Sequence, residues 1–393
     1  MRVVSRLAVA LVLLSSGAGL VSGAASEAAA AGAVLPSFTD IDCPSANSCF
    51  AVGLTVGGNG SRFSPLVEHW NGTSWSLMPS PNAKAGAALL DVTCPTPTSC
   101  LAVGESGSGG GSGVTHKAFA LRWNGSKWSI VAGPSPAGAK NSGLGSVSCA
   151  NATTCFAVGD FNGSVGAPYR PLIERWNGTG WSIVKSPTLP NGKAFTLAGV
   201  SCPSAKSCFA VGGAEFQAFP GAVIARWSGT TWSAADLGVP SYGSLTAVSC
   251  SSPSSCFATG TDIGASAELK TVVMRWNGTR WTRVPSPNFP QGYENTLDDV
   301  TCTSATGCLA VGSASLAHQG PFSTLALRWD GKAWSRTRSV DPDPQFNLLG
   351  GVSCSTATNC FAVGSSGSAT TPAPIERWKG KTWSMSAHPD PTS

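Results

Sequence analysis

The chain repeats one pattern in which short apolar runs alternate with polar turns. In the unit that begins at Leu197, LAGVSCPSAKSCFAVGG is followed by a variable stretch and then by VIARWSGTTWSAADLGVP. Four strands are predicted in this unit, at residues 198–202, 208–212 and 222–227 and from Trp232 onward, because short runs rich in Val, Ile and aromatic residues and bounded by Gly, Pro and Ser are typical of strands. The run PSAKS predicts the first turn. The run SGTT predicts a tight hairpin turn, on the scale of two residues, before the fourth strand, and most other units carry Asn-Gly there.

Two residue types count the repeats independently. All 14 cysteines fall in C-x5-C pairs and all 14 tryptophans fall in W-x4-W pairs, so each type gives seven units, whose first cysteines lie 48 to 55 residues apart. The tryptophan pairs are Trp70/Trp75, Trp123/Trp128, Trp176/Trp181, Trp227/Trp232, Trp276/Trp281, Trp329/Trp334 and Trp378/Trp383. Four short strands in a repeat of this length predict an all-β, seven-bladed β-propeller with four antiparallel strands per blade. A stacked β-solenoid is the main alternative, although its repeats are usually shorter.

The cysteine spacing predicts one disulfide in every blade. C-x5-C places one thiol at the end of the first strand and its partner at the start of the second, and such positions can approach to bonding distance across an antiparallel hairpin. Zinc is the competing interpretation, but this spacing is unusual for zinc ligands. The predicted bridges are Cys43–Cys49, Cys94–Cys100, Cys149–Cys155, Cys202–Cys208, Cys250–Cys256, Cys302–Cys308 and Cys354–Cys360.

The N-terminus has the pattern of a secretory signal. Arg2 and Arg6 precede an apolar run at residues 7–14 that is too short to span a bilayer, and small residues follow it. We therefore predict a signal peptide at residues 1–23, an Ala/Gly-rich linker at 24–36 and the propeller at 37–390. The predicted blades span approximately residues 37–81, 88–136, 143–188, 195–240, 243–288, 294–340 and 346–390.

The composition of the mature chain limits the classes of partner that we expect. Only 11% of residues are charged, and the net charge of +5 is spread along the sequence without a Lys/Arg run, so nucleic acid is not an expected partner. No second stretch approaches 18 apolar residues, so we expect no membrane span in the mature chain. The chain is expected to be a monomer that is secreted, extracellular or located in the cell envelope.

The repeats resemble those of two propeller families. The sequence Asp330-Gly331-Lys332-Ala333-Trp334 resembles the Asp-box of sialidase-type (BNR) repeat propellers, although most other units have Asn in place of Asp. The L-x-D-V-x-C…C-x-A-V-G pattern is similar to the repeats of photosystem II assembly-factor-like propellers. The whole chain resembles a class of secreted bacterial proteins with SC-x5-CFAVG…ERWNGTxW repeats. Because these likenesses are between repeats, they support the fold far more than a function.

Residues that recur in the blades are expected to belong to the framework. In the first unit His69 precedes the first Trp. In the other six units Arg takes this place, namely Arg122, Arg175, Arg226, Arg275, Arg328 and Arg377. A sialidase active site would use clustered arginines, but an arginine in almost every blade is expected instead to stack on a neighbouring Trp or to pair between blades. Glu68, Glu174 and Glu376 fit the same interpretation. Asn71, Asn124, Asn177 and Asn277 begin glycosylation sequons, but we interpret them as turn residues.

No motif for catalysis, a cofactor or a metal is found in the sequence. The four histidines, His69, His116, His318 and His388, lack metal-ligand spacing, and the common hydrolase, metalloprotease, P-loop and dinucleotide motifs are missing. We therefore predict no catalytic residue, no metal and no cofactor. Paired carboxylates for glycoside hydrolysis remain an open alternative. Glu294, Asp298 and Asp299 form the one local acidic cluster, which we expect to lie on a solvated loop.

Strand connectivity predicts which face of the ring binds a partner. In an up-and-down blade the first-to-second and third-to-fourth connections share one face, and the variable second-to-third and blade-to-blade loops share the other. Aromatic residues on loops held by a rigid scaffold are typical of binding sites, although each of them could instead pack its loop onto the blade. The predicted binding residues are Tyr169, Tyr242, Tyr293, Phe161, Phe216, Phe219 and Phe289.

Three functions are compatible with these patterns. The first is a non-enzymatic extracellular scaffold that binds a protein or a glycan through the variable loops. The second is a glycoside hydrolase, sialidase-like or otherwise active on carbohydrate, which the Asp-box resemblance suggests. The third is a structural protein of the cell envelope.

Overall fold

The computed structural model describes residues 32–58, 63–107, 115–164, 166–190, 192–214, 221–237, 242–263, 268–289, 292–317, 320–367 and 371–389. The predicted signal peptide lies outside these residues, and the first strand begins at Gly32, inside the predicted linker. It starts this early because Gly32 pairs with Gly58 of the second strand.

Twenty-nine strands and no helix make up the described part of the chain. The first four blades contain β1 (Gly32–Ser45), β2 (Ser48–Gly58), β3 (Phe63–Trp70), β4 (Trp75–Leu77), β5 (Ala87–Thr96), β6 (Ser99–Ser106), β7 (Lys117–Trp123), β8 (Trp128–Ile130), β9 (Asn141–Asn151), β10 (Thr154–Asn162), β11 (Arg170–Trp176), β12 (Trp181–Ile183), β13 (Phe195–Ser204), β14 (Ser207–Ala214), β15 (Gly221–Trp227) and β16 (Trp232–Asp236). The last three contain β17 (Tyr242–Ser252), β18 (Ser255–Ile263), β19 (Leu269–Trp276), β20 (Trp281–Val284), β21 (Glu294–Asn295), β22 (Asp299–Ser304), β23 (Gly307–Ser315), β24 (Phe322–Trp329), β25 (Trp334–Thr337), β26 (Asn347–Thr356), β27 (Asn359–Ser366), β28 (Ile375–Trp378) and β29 (Trp383–Met385).

The strands form seven sheets, each made of consecutive antiparallel strands, which confirms the seven-bladed propeller. Six sheets have four strands; in the sixth blade the innermost strand is divided into β21 and β22, which both pair with β23. All seven predicted disulfides are present, and their Cα atoms lie 3.9–4.1 Å apart. The order of strands within each sheet follows from short hairpin connections, which keep sequence neighbours adjacent in space.

The fourth blade shows how closely the sequence pattern predicts the strands. The four predicted runs lie within β13 to β16. The first turn is shorter than the predicted PSAKS, because Ser204 pairs with Ser207 and only two residues lie between them. The loop before the fourth strand is the predicted run SGTT, because Trp227 pairs with Trp232 and these four residues connect them.

A glycine in the second strand of every blade makes room for a bulge in the first. In the fourth blade the register of β13 shifts between Leu197 and Gly199. The shift brings the Thr196 carbonyl so close to Gly212 that a Cβ atom there would lie 2.0 Å from the oxygen. The glycine of the A-V-G motif is therefore required by the close approach of a neighbouring backbone.

Aromatic contacts join neighbouring blades. Phe209 of the fourth blade lies 5.2 Å from the ring of Trp276 and 5.4 Å from that of Trp281 in the fifth blade. Phe50, Phe156, Phe257 and Phe361 make the equivalent contacts at other junctions. Thirteen of the fourteen tryptophans are buried, with at most 8% of their surface exposed, and Trp281 is half-buried.

The ring closes through side chains. All four strands of the first blade come from the start of the propeller, and all four of the seventh come from its end. Phe361 of the seventh blade packs on Trp70 and Trp75 of the first, and Cys43 N–H donates to Ser353 Oγ at 3.0 Å. The junction between the last and first blades therefore uses the same contacts as the other junctions.

Candidate functional site

The two ends of the ring are chemically different. We call the end formed by the seven cysteine hairpins and the seven loops between paired tryptophans the turn face. The opposite end, with the second-to-third and blade-to-blade connections, is the variable face. At the turn face, the Trp227 indole N–H donates to the Ala205 carbonyl at 3.2 Å, which ties the tryptophan loop to the cysteine hairpin. Five other first tryptophans donate in the same way.

The Asn-Gly residues shape the turn face. Asn71 Oδ1 accepts the N–H groups of Thr73 at 2.9 Å and Ser74 at 3.0 Å, and Gly72 has a φ of 100°. Asp330 accepts two N–H groups in the same arrangement, which lower the pKa of its carboxyl. The turn role predicted for these asparagines is confirmed, but the loop is longer than a two-residue hairpin because the side chain, and not only the backbone, satisfies the turn.

Five of the six repeated arginines contact aromatic rings of the framework, as predicted. Arg226 Cζ lies 5.3 Å from the ring centre of Trp276 in the next blade, and Arg275 lies 5.4 Å from Trp329. Arg122 and Arg377 lie over Trp176 and Trp70, and Arg175 lies over Phe156 in its own blade. His69, which takes the place of the arginine in the first blade, stacks on Phe50 with ring centres 4.4 Å apart.

A polar cavity of about 160 Å³ lies on the axis of the ring, lined by the innermost strand of each blade. Each inner strand donates backbone N–H groups to a side chain of the preceding blade. Asp40 Oδ2 accepts Val92 N–H at 3.0 Å, and Asp299 Oδ2 accepts Val352 N–H at 2.8 Å. Asp42, Asp91, Ser146, Ser148, Ser201, Ser249 and Ser353 make the equivalent bonds. The cavity therefore contains the polar joints between blades.

The acidic cluster of the sixth blade is not the solvated loop that the sequence predicted. Asp299 is buried, with 8% exposed, and points into the axial cavity. Asp298 is partly buried and accepts the Thr296 hydroxyl at 3.2 Å, while Glu294 lies in β21. A bulge separates them, because Asn295 pairs with Ala314 in one part of β23 and Asp299 pairs with Val311 in another.

The structure separates the predicted binding residues into three groups. Tyr169 and Tyr293 are partly exposed on the variable face, and the backbone of Tyr293 is fixed by bonds to Ser315 and Leu269. Phe161 and Phe289 are half-buried against the cores between blades, and Phe289 lies 4.0 Å beneath the Arg336 guanidinium. Phe216 and Phe219 fall outside the described residues, as does the side chain of Tyr242.

Two of these aromatics are in strands and not in loops. Phe161 belongs to β10, where it pairs with Arg170, and Tyr242 begins β17, where it pairs with Ile263. The strands extend beyond the A-V-G motif because backbone pairing continues where the alternation of apolar and polar residues is lost.

An acidic site on the variable face escaped the sequence analysis. Glu105 of β6 and Asp160 of β10 occupy the same position, one residue after the A-V-G glycine, in adjacent blades. Burial first, and the charge of Asp160 second, raise the pKa of the Glu105 carboxyl to about 8. His116 Nδ1 lies 3.5 Å from Glu105 Oε1. The repeat alignment could have revealed the pair, since the corresponding residues of the other blades are uncharged.

Three buried glutamates lie between blades, in agreement with the framework interpretation. Glu68, Glu174 and Glu376 have no exposed surface. Burial raises the pKa of Glu174 to about 7 and that of Glu376 to about 8, although the Val340 N–H bond opposes the second shift. His388 bridges Glu68 and the Ala373 carbonyl at 3.2 and 2.9 Å. Burial lowers the pKa of His388, but these partners outweigh it, so that its pKa is raised.

Within the described ranges, no three His, Cys, Asp or Glu side chains are arranged to hold a metal ion. The same part of the chain contains no helix with the length and hydrophobicity needed to cross a bilayer.

No protein-family model and no curated protein matches this chain. Solved structures that resemble it include YCF48 bound to a D1 peptide, at 11% identity and a TM-score of 0.52, with 92% of this chain and 94% of that one covered. An ulvan lyase bound to a GlcA(1-4)Rha3S saccharide is 9% identical with a TM-score of 0.54, and the match covers 86% of this chain and 91% of that one. The xyloglucanase of Xanthomonas campestris is 11% identical with a TM-score of 0.52, and the match covers 91% of this chain and 55% of that one. At these identities the similarity establishes the fold that the chain shares with binding proteins and carbohydrate-active enzymes.

Proposed function

We propose that the protein is a secreted, non-enzymatic scaffold that binds an extracellular protein or glycan through the variable face. The observation that carries this proposal is the presentation of Tyr169 and Tyr293, which are partly exposed at the ends of strands. An amphipathic ring held by ordered backbone contributes contact area with little loss of conformational entropy. The seven disulfides fit an oxidising compartment.

The structural relatives are compatible with this role. YCF48 is described with a bound peptide and the ulvan lyase with a bound saccharide, so propellers of this architecture bind both classes of ligand that we propose. The fold by itself does not choose between them.

The test is a pull-down from culture medium together with a glycan array, using the intact secreted protein. A partner captured by the wild type should be lost from the Tyr169→Ala/Tyr293→Ala variant. The matched control is Leu77→Ala/Ile130→Ala, which removes two apolar side chains that are 48% and 49% exposed on the outer strands. Equal capture by all three proteins would contradict the use of the variable face.

A second function, glycoside hydrolysis, is favoured by the Glu105 and Asp160 pair. A carboxyl group that stays protonated near neutral pH, with a second carboxyl group nearby, is the arrangement that acid-assisted glycoside cleavage needs. Under this hypothesis Glu105 is the acid and Asp160 the base or nucleophile. Turnover of any substrate in a glycan panel that disappears in Glu105→Gln and persists in Glu294→Gln would establish it, and no turnover by the wild type would favour the scaffold.

A further inference from the structure

The turn face concentrates positive charge that is dispersed in the sequence. The six framework arginines lie one residue before the paired tryptophans, at the end of the blade that borders the turns. The turns add six exposed cations, which are Lys127, Lys206, Arg280, Lys332, Lys379 and Lys381. Asp330 is the one acidic residue among the fourteen turns, all of which the structure describes. One end of the ring therefore carries a large excess of positive charge.

The framework arginines are held in place without neutralisation. Arg122, Arg175, Arg226 and Arg328 are exposed, whereas Arg275 and Arg377 are partly exposed. Across the described residues, none of the six forms an ion pair with a carboxylate. An aromatic ring against one side of the guanidinium orients Arg122, Arg175, Arg226 and Arg275, and the N–H edge of these groups can still bind an anion bidentately. Arg377 differs, because its Nε and Nη2 donate to Asn359 Oδ1 at 3.2 and 3.0 Å.

The spacing of these groups suits a polymer more than a small anion. Arg226 lies over Trp276, and the next arginine, Arg275, directly precedes that tryptophan in the chain. Arg122 and Arg275 have the same arrangement with Trp176 and Trp329, so at three junctions the guanidinium of one blade lies over the indole that follows the next arginine. A chain with an anionic group on each repeating unit can contact several blades at once, which raises its affinity above that of a single unit.

The surroundings favour a polysaccharide over a bilayer or a nucleic acid. The large apolar side chains that are exposed in the described part, Leu77, Ile130, Ile183, Leu316 and Met385, all lie outside the turns, whereas membrane-surface binding uses apolar side chains that insert. Twelve of the fourteen tryptophans are at most 7% exposed. Their rings therefore provide no open aromatic platform on which bases could stack.

We propose that the turn face is a binding surface for a linear anionic polysaccharide that carries carboxylate or sulfate groups. The ligand runs across several blades, and the arginines of neighbouring blades bind successive anionic groups. This surface lies opposite the variable face, and neither proposal depends on the other.

The test measures binding of the intact protein to heparin and to polygalacturonate by isothermal titration at low and moderate salt. The wild type should bind both, more weakly at higher salt, and monomeric galacturonate should fail to compete. Arg122→Gln/Arg175→Gln/Arg226→Gln should weaken binding on the order of tenfold. The matched control, Lys140→Gln/Arg170→Gln/Lys185→Gln, removes the same charge from exposed positions toward the variable face and should leave affinity nearly unchanged.

A second variant distinguishes the loss of a binding group from misfolding of the framework. Lys127→Gln/Lys206→Gln changes exposed turn residues that support no ring contact, and it should weaken binding several-fold with unchanged thermal stability. The proposal is overturned if the wild type binds neither polymer, or if the triple variant and its control lose affinity equally. Tighter binding to duplex DNA or to phosphatidylserine vesicles than to the polysaccharides would also overturn it.

Discussion

The turn face and the variable face differ in how each uses the same repeat. On the turn face every blade presents a cysteine hairpin, a tryptophan loop with a positive-φ glycine and, in six blades, an arginine. On the variable face, the residue after the A-V-G glycine is Leu54, Glu105, Asp160 or a small residue. The residues of the turn face thus recur from blade to blade, whereas those of the variable face differ between blades. A repeated residue can therefore both hold the framework and create a surface, as the arginines do.

The largest expected effect separates the buried aromatics from the exposed ones. Trp176 is 2% exposed and packs between the second and third blades. Its replacement by Ala should lower the free energy of unfolding by about 3–5 kcal/mol, because it leaves a large cavity. Urea unfolding followed by fluorescence measures this. A loss below about 1 kcal/mol would mean that the blade junctions are much more plastic than the packing indicates.

A pH-dependent effect is expected at Glu376, which is fully buried. The pKa of its carboxyl rises from an ordinary value of 4.5 to about 8 in the folded protein, so the folded state keeps a proton that the unfolded state releases. Its contribution to stability is therefore fully present below about pH 4.5 and is lost as the pH rises toward 8. Glu376→Gln stays neutral and should be more stable than the wild type by on the order of 2–3 kcal/mol near pH 8.

Urea unfolding of both proteins at several pH values measures the Glu376 effect. The difference between them should shrink as the pH falls toward the ordinary carboxyl pKa. Glu294→Gln, at a partly exposed position of the variable face, is the control and should show no comparable trend. A constant difference across the whole pH range would show that the glutamine acts through packing and not through the proton.

A smaller effect is expected from one disulfide. Cys202→Ser/Cys208→Ser should destabilise the protein by about 2 kcal/mol, because the bridge closes a short loop and restricts the unfolded chain only modestly. The ring should still close, since each junction also has aromatic and hydrogen-bond contacts. Calorimetry measures the loss, and non-reducing peptide mapping should return the other six bridges. Scrambled bridges in that map would contradict independent blades.

The smallest effect is expected on the variable face. Tyr169→Ala and Tyr293→Ala should each change the free energy of unfolding by less than about 0.5 kcal/mol if the rings serve a partner. The same unfolding assay compares them with Trp176→Ala. Losses near that of the tryptophan would assign both tyrosines to the core and remove them from the proposed binding surface.

Local patterns predicted the blade but not the limits of its strands. The paired cysteines and tryptophans specified seven hairpin units, because those contacts join residues close together in the sequence. The same patterns failed where pairing continues into polar residues, so Phe161 and Tyr242 were expected in loops and lie in β10 and β17. The four-residue tryptophan loop was predicted, but its closure by a side chain, Asn71 Oδ1 in the first blade, was not.

The number of blades, the disulfide pairing and the framework role of five repeated arginines could be predicted from the sequence alone. Each of these depends on a periodic signal that is visible along the chain. Only the tertiary structure decided that Asp299 lines the axis, that Glu105 and Asp160 share a site, and that cations some fifty residues apart in sequence gather on one face. The physical reason is that these neighbours come from different blades, and the distances between them are set by how the blades pack around the ring and not by how each one folds.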